Sequence, residues 1–478
     1  MICLTLTGRT MKENYTLLEQ NREMIDIAEL RMDFLPAGEL RDMRGIRERM
    51  GITAIATFRK ECDGGRFSGE EVFRRKILLN AVNAGFEYVD MEYGFDFPEV
   101  EAAVQGKGTV VIRSIHNFDG VSVPEDAITK MLTLPDWEIP KIAVYPHGSK
   151  DVLSLMQLYS VFSNRDKKII LGMGAYGFFS RILYRKLGSL LTYCSGAEAS
   201  GAPGHSSPVQ LKNVYNLDLI TPDAAVYGII GNPVMHTRSP HLHNAGYRKC
   251  GMDAVYIPFP VDDPDLFMEF AQKLPVKGFS VTVPYKKDVI RFLDKIDPSV
   301  NQADACNTVV YTDGGYEGWN TDIEGFFKPL EKRIPLQDIK RIAIIGAGGA
   351  AGAVIRALKG LDAQIHIFNR TEEKARILSQ KFDLSYHPLS SYKEIERCDL
   401  IVQTTNVGMY PLEDKTPLPG YRFRKEQIVY DLIYTPEETL FLKEAASSGC
   451  RTINGLEMLS VQGKKQFLLF TGVDYPEN

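Results

Sequence analysis

The sequence predicts an α/β protein in two parts: an N-terminal (β/α)₈ TIM barrel, then a two-lobed α/β unit containing a Rossmann domain. Three observations predict this. Short strand-like runs recur eight times through residues 1–200, most of them separated by helix-length gaps. Strands alternating with helices imply parallel strands joined by right-handed crossovers, and eight such units close into a barrel. The pattern then breaks at "GAPGHSSPVQLKNVYNLDLITPD", residues 201–223, a stretch rich in Gly, Pro and Ser. Beyond it, "RIAIIGAGGAAGAVIRAL" sets an apolar strand before a glycine turn and a helix, the arrangement that brings a pyrophosphate to a helix N-terminus.

The chain has 478 residues, 44% of them hydrophobic and 24% charged, the composition of an ordinary globular protein with room for about two or three domains. A net charge of −5 argues against a nucleic-acid partner, which needs a basic face. No run of about 18 apolar residues implies a membrane span. "MICLTLTGRT" lacks a basic start, a long apolar core and a small-residue cleavage site, which argues against secretion. The seven cysteines are scattered and form no CxxC, so they read as reduced thiols of a cytoplasmic protein rather than a disulfide frame or a zinc site.

The eight runs are "ICLTLTG", "IAELRMDFL", "TAIATFR", "FEYVDMEY", "TVVIRSIHNF", "IPKIAVY", "KIILGMG" and "LLTYCSG". "EEVFRRKILLNAVNAG" fills one gap with apolar residues at helical spacing and ends in Gly85, and "SKDVLSLMQLYSVFSN" fills another. Informative residues gather near the C-terminal ends of the runs: Glu29, Arg31, Arg59, Asp90, Glu92, His116, Lys141 and Met173, with Arg181 just beyond its strand. That is the rim where a barrel carries its active site. Lys141 stands in the run "IPKIAVY", which is otherwise apolar and holds no acid. A lysine in a low-dielectric pocket among cations is pushed toward the neutral amine, which attacks a ketone to form an imine. A histidine can then move the proton that the imine makes acidic. Glu92 can orient that histidine, and Arg181 can pair with a carboxylate.

Together, "ELRMD", "TFRKECDGG", "DMEY", "IHNFD", "PKIAV", "LGMGAYGFFSRI" and "GAPGH" resemble type I 3-dehydroquinate dehydratase over most of residues 1–212. The resemblance implies that Lys141 forms a Schiff base with the C3 ketone of 3-dehydroquinate and that His116 is the acid/base, with Glu92 behind it. It implies Arg181 for the substrate carboxylate, Glu29, Arg31 and Arg59 for the ring-hydroxyl side, and Met173 near the imine. One loop departs from the family pattern Ser-Ala-Pro-Gly-Gln: here Gly201 to His205 stand in its place, and His205 is expected to take the Gln role as a hydrogen-bond donor.

In the second half, "VYGIIGNPVMHTRSPHLHNAGY" runs a strand into a turn with Thr237 and Ser239 at a helix start. His236, His241 and His243 do not have the spacing of a metal site. Lys286 and Lys287 are read as opening a helix after Pro284, and Asp322 as lying in a turn. The glycine turn holds Gly346, Gly348, Gly349 and Gly352 after a strand at 342–346. The next strand, "QIHIFNRT", ends in Asn369, Arg370 and Thr371, with Lys374 a turn later, instead of the acid that would bind a ribose hydroxyl. An Arg there accommodates a 2′-phosphate, so NADP is expected over NAD. "LIVQTTNVGMYP" and "IVYDLIYTPEET" read as two more buried parallel strands, and a terminal helix with Gln462 is expected to return to the first lobe.

Residues 226–478 resemble shikimate dehydrogenase, through "GNPVMHTRSP", "VTVPYKK", "CNTVV", "NTDIEG", "GAGGAAGA", "NRT", "TTNVGM", "YDLIY" and "NGLEML". By that resemblance Thr237 and Ser239 bind the substrate carboxylate, and Thr282, Asn307, Asp322 and Gln462 its hydroxyls. Lys286 and Asp322 form the proton-transfer pair, and Tyr434 faces the pocket. Ala350, Thr405 and Gly455 join the glycine turn and the Asn369–Lys374 group around the cofactor. Thr237, Cys306 and the Thr405-Asn406 order depart mildly from the family.

The expectation is a bifunctional enzyme of aromatic biosynthesis: dehydration of 3-dehydroquinate, then NADPH-dependent reduction to shikimate. Its divisions are a barrel at 1–212, a linker at 213–225, a substrate-binding domain at 226–334 completed by a helix at 457–478, and a Rossmann domain at 335–456. Partners are small-molecule substrates, with no nucleic acid, metal or membrane, in a monomer or weak homodimer. Two alternatives stand beside it, a catalytically silent regulator and a quinate-preferring dehydrogenase that uses NAD. Retention of Lys141, His116, Lys286, Asp322 and the glycine turn argues against the first, and Arg370 against the second.

Overall fold

The computed structural model of the chain describes residues 1–196 and 206–477. Contacts divide it into two compact units, Met1–Val226 with Gly251–Pro275, and Tyr227–Cys250 with Val276–Asn478.

In the first unit the strands are β1 (Ile2–Leu6), β2 (Ile27–Arg31), β3 (Ala54–Thr57), β4 (Tyr88–Glu92), β5 (Val110–Asn117), β6 (Glu138–Val144), β7 (Ile169–Gly172) and β8 (Thr192–Ser195). They follow one another around the sheet in chain order, and β8 returns to β1. All these pairings are parallel. No ladder joins β7 to β8 among the described residues, so the (β/α)₈ barrel is nearly closed. Each crossover carries an α-helix. Helix Glu71–Ala84 shows the local logic: Ile77, Leu78, Ala81 and Val82 lie on its buried face. Gly85, at φ +89°, donates its N–H to the open carbonyls of Ala81 and Val82, a left-handed cap that favours glycine.

Strand side chains alternate between faces, so the inner face of the barrel reads every second residue. Ile27, Ile55, Ile112, Ile139 and Ile169 form one buried cluster at that inner face. Two residues further along four of these strands stand Glu29, Thr57, Ser114 and Lys141. The inner face therefore changes from an apolar floor to a polar layer within one residue pair.

Strand Ala254–Pro260 and helix Pro264–Lys273 group with the barrel by contacts, although the sequence reading places them in the second half. Phe270 packs edge-on against Phe179 at 5.0 Å, and Asp262 accepts from the Ser149 N–H at 2.8 Å.

In the second unit, Val276–Val281 pairs antiparallel with Thr308–Thr312, which forms a hairpin with Gly315–Trp319. A separate parallel sheet runs Ser385–Pro388, Gln364–Asn369, Arg341–Ile345, Leu400–Gln403, Ile428–Asp431 and Arg451–Ile453 in spatial order. That is the Rossmann order, with the first strand central. Ile342 and Ile344 face one buried cluster while Ala343 and Ile345 face the other, which is why this strand reads as continuously apolar. Helix Leu456–Thr471 packs so closely on helix Asp322–Arg333 that a Cβ on Gly325 would lie 2.7 Å from Gln462 Cβ. Tyr227 Oη donates to Phe470 O at 3.0 Å, tying the terminal helix to the first strand of this unit.

Two local expectations are corrected. Lys286 and Lys287 lie in a turn that leads only to the short 3₁₀ segment Asp288–Phe292. Asp322 is the first residue of an α-helix rather than part of a turn, and its N–H donates to Asn320 Oδ1 at 3.1 Å. Among the described residues, no helix is long and apolar enough to cross a membrane.

Candidate active sites

The polar layer of the barrel opens into a cavity of about 740 Å³, continuous with solvent. Glu29, Arg31, Arg59, His116, Lys141, Met173 and Arg181 all line it. Lys141 finds its acidic partner on another strand: its Nζ donates to Asp90 Oδ2 at 2.8 Å, across from β6 to β4, while Glu138 of its own strand pairs with Arg113. Parallel register makes the contact, since Asp90 pairs with Ile112 and Ser114 with Lys141 on the strand between.

Glu29 is fixed by the hydroxyls of Thr57, at 2.8 Å, and Thr5, at 3.2 Å. Arg31 is held in a two-pronged pair by Asp33. Burial, together with Arg59 and Lys141, pushes the His116 imidazole well below its usual range, so its neutral form prevails. Its Nδ1 is buried and has no hydrogen-bond partner among the described residues. Among the described residues no hydrogen bond joins Glu92 to this nitrogen. The Glu92 carboxylate is taken by Arg74, a fully buried guanidinium from helix Glu71–Ala84 that sits between Phe95 and Phe97. A buried arginine needs a counter-charge, and Glu92 is the buried acid within its reach.

Arg181 is 1% exposed, and its Nε and Nη2 have no hydrogen-bond partner among the described residues. Burial lowers its pKa to about 10. Orphan donors on a buried guanidinium are costly, and here they belong to a residue in the wall of an open cavity, where an anion can satisfy them. His205 lies outside the described residues.

A second cavity, of about 770 Å³, lies in the second unit. Ser239, Thr282, Lys286, Asn307, Asp322, Tyr434 and Gln462 line it, with Ala350 and Gly455. Lys286 Nζ donates to Asp322 Oδ2 at 2.6 Å. Asn307 Oδ1 accepts from the Thr321 N–H at 2.9 Å, which aims its amide nitrogen at Thr321 Oγ1 and Gln462 Oε1. Thr237 Oγ1 donates to Ser239 Oγ at 3.1 Å, and Thr237 and Tyr434 share a side-chain hydrogen bond.

Beside this cavity is the glycine turn. Gly346 has φ +114°, and a Cβ there would lie 2.6 Å from Thr404 Oγ1 and 2.8 Å from Thr405 Cγ2. A Cβ on Gly352 would lie 2.0 Å from Ala303 O, so helix Gly349–Leu358 can dock there only on a glycine. Gly348 caps that helix without a side-chain bond and has open space around it, which leaves the first N–H groups free for an anion. A Cβ on Gly349 would stand 3.5 Å from the Lys286 side chain, and one on Gly455 would stand 2.1 Å from Leu432 O. Asn369 Nδ2 donates to Thr371 O at 2.8 Å, while Arg370, Thr371 and Lys374 are exposed at the end of the next strand.

Residues 2–222 match the family model of type I 3-dehydroquinase. Residues 229–309 match the shikimate dehydrogenase substrate binding domain, and 330–431 match shikimate / quinate 5-dehydrogenase. The bifunctional 3-dehydroquinate dehydratase/shikimate dehydrogenase of Arabidopsis thaliana, a chloroplastic protein, is 31% identical over 95% of this chain and 78% of its own. The chain belongs to this bifunctional family. Its second half is 39% identical to the NADP(+) shikimate dehydrogenase of Shouchella clausii, over 52% of this chain and 92% of that one. A crystal structure of a shikimate dehydrogenase in complex with NADP+ superposes with TM-score 0.50 at 38% identity, over 54% of this chain and 93% of that one.

Relative to the residues expected from sequence, the structure of this family member adds others. Tyr193 lines the barrel cavity and presents its ring 4.5 Å from Lys141 Nζ. Gln466 lines the second cavity, donating to Asn307 O at 3.2 Å and accepting from Ser280 Oγ at 2.9 Å. Gln466 was findable: it lies one turn beyond Gln462 and so on the same helical face.

Proposed function

We propose that the barrel dehydrates 3-dehydroquinate through an imine on Lys141 and that the second unit reduces the product with NADPH. The chain is a bifunctional shikimate-pathway enzyme, and the observation that carries the residue assignment is the cavity shared by Lys141, His116 and the orphan donors of Arg181. Arg181 takes the substrate carboxylate and fixes the ring. Glu29, Arg31 and Arg59 order the hydroxyl-bearing side, and Met173 packs against the reacting carbon. Lys141 condenses with the ketone and makes the neighbouring C–H acidic. His116, neutral through burial, accepts that proton and returns it to the departing hydroxyl.

In the second unit, Ser239 with Thr237 binds the carboxylate of 3-dehydroshikimate, and Asn307, Thr282 and Gln462 hold its hydroxyls. Tyr434 closes the pocket. The residues present fit NADP: the open helix N-terminus at Gly348–Gly349 suits a pyrophosphate, and Arg370 with Lys374 suits a 2′-phosphate. Ala350, Gly352, Asn369, Thr371, Thr405 and Gly455 complete its surroundings. The bound cofactor supplies a hydride. Lys286, oriented by Asp322, gives a proton to the ketone oxygen.

The functional divisions are those of residues 1–212, 226–334 and 335–456, with the terminal helix completing the middle one. We place the enzyme in the cytoplasm, where its seven free cysteines stay reduced, as a monomer or weak homodimer.

Incubation with 3-dehydroquinate and NADPH tests the whole reading. The nicotinamide absorbance falls as shikimate accumulates. Borohydride added without NADPH leaves a mass adduct on Lys141; an adduct elsewhere, or none, would refute the barrel mechanism.

A further inference from the structure

Asp90 carries no role in the reaction described above, yet it is buried beside Lys141 and held by three side-chain hydrogen bonds. It is 2% exposed. Its Oδ2 accepts from both Lys141 Nζ and Arg59 Nη2 at 2.8 Å, and its Oδ1 accepts from Ser114 Oγ at 2.7 Å. Burial opposes its ionisation, but Arg59 and Lys141 outweigh burial and hold the carboxyl well below its usual range. Glu29, the other acid near Lys141, stands at 3.9 Å. The ring of Tyr193 covers Nζ at 4.5 Å.

We propose that Asp90 is the fixed counter-ion of the imine on Lys141 and keeps its nitrogen protonated through dehydration. This rests on the reading of Lys141 as the imine-forming lysine. The ammonium of Lys141 passes one proton through neutral His116 to the ketone oxygen, and the freed amine pair forms the C–N bond of a carbinolamine. The C–O bond then breaks, and the oxygen leaves as water with two protons from nitrogen. One proton and one positive charge remain on the iminium. Loss of the adjacent C–H proton to His116 moves its electron pair into a C=C bond and leaves a neutral enamine. Expulsion of the hydroxyl, protonated by His116, restores the C=N⁺ bond. The charge on nitrogen thus disappears and returns in each turnover. Arg31, Arg59 and Arg181 line the same cavity, and cations favour loss of the iminium proton. The negative charge of Asp90 at Nζ opposes them, and the face of Tyr193 adds to it. Glu29, His116 and the buried thiol of Cys3 are the other ionisable groups that interact with Lys141, and none is hydrogen-bonded to Nζ.

The test is Asp90→Asn in the full-length chain. Dehydratase kcat is expected to fall about 100-fold, and its alkaline limb to move at least about one pH unit lower. The C=N stretch of the imine formed with 3-dehydroshikimate should lose its D₂O sensitivity over the same shifted range. Dehydrogenase activity of the variant is expected to be unchanged. A wild-type pH profile and wild-type D₂O shift in the variant would overturn the proposal. Should the variant not fold, the wild-type spectrum decides: a D₂O-insensitive C=N stretch at neutral pH overturns it and a shifted one supports it. Absence of a borohydride adduct on wild-type Lys141 would instead refute the underlying mechanism.

Discussion

Lys286 and Asp322 meet at 2.6 Å in the wall of the second cavity, one from a turn and the other from the first residue of a helix. The helix N-terminus favours the Asp322 anion, and the anion fixes the lysine. Lys286→Met removes the proposed proton donor and should lower kcat for 3-dehydroshikimate reduction by about 10²–10⁴-fold. Asp322→Asn leaves the lysine without its charged acceptor and should cost roughly 10–100-fold in kcat/KM. Nicotinamide absorbance reads both, while 3-dehydroshikimate formation in the barrel serves as the unaffected reference.

Arg74 is fully buried against Glu92. Arg74→Leu strands that carboxylate and should destabilise the barrel by about 3–5 kcal/mol. The double variant Arg74→Leu/Glu92→Leu should recover much of the loss. Urea unfolding followed by a probe in the barrel measures the difference, and additive losses would show that the two side chains act independently.

Arg370 and Lys374 stand exposed after strand Gln364–Asn369, and we propose that they meet the 2′-phosphate. Arg370→Ser should raise KM for NADPH roughly 10–100-fold while leaving NADH kinetics unchanged. Equal changes with both cofactors would place Arg370 away from the phosphate.

Burial pushes the Asp431 carboxyl up to about 7, against hydrogen bonds from the Ile433 N–H and Thr439 Oγ1. The folded state therefore keeps a proton that the unfolded chain releases near pH 4. Stability from this group is full below about pH 4, falls as pH rises toward 7 and is level above. Thermal unfolding of the second unit between these values should show the decline, and Asp431→Asn should flatten it.

The barrel was legible because its strands are short, apolar and regularly spaced, and the Rossmann lobe because its central strand and glycine turn lie together in the chain. The site residues at strand ends were legible by position alone. What sequence could not show were partners brought together across the barrel. Asp90 reaches Lys141 over one intervening strand, and Arg74 reaches Glu92 from a helix. Each contact depends on register, which is set by packing and not by neighbours in the chain. Asp322 was misplaced for a local reason: Asn320 begins the helix with its own side chain, and the preceding Gly-Trp-Asn-Thr looks like a continuing turn.

The isoleucines beneath Glu29 and Lys141 make the barrel a vessel with a sealed bottom. Water cannot cross a layer packed from Ile27, Ile55, Ile112, Ile139 and Ile169. Substrate, product and the one water released net in each turnover therefore share the same opening. Product must therefore leave that mouth before the next substrate can enter it.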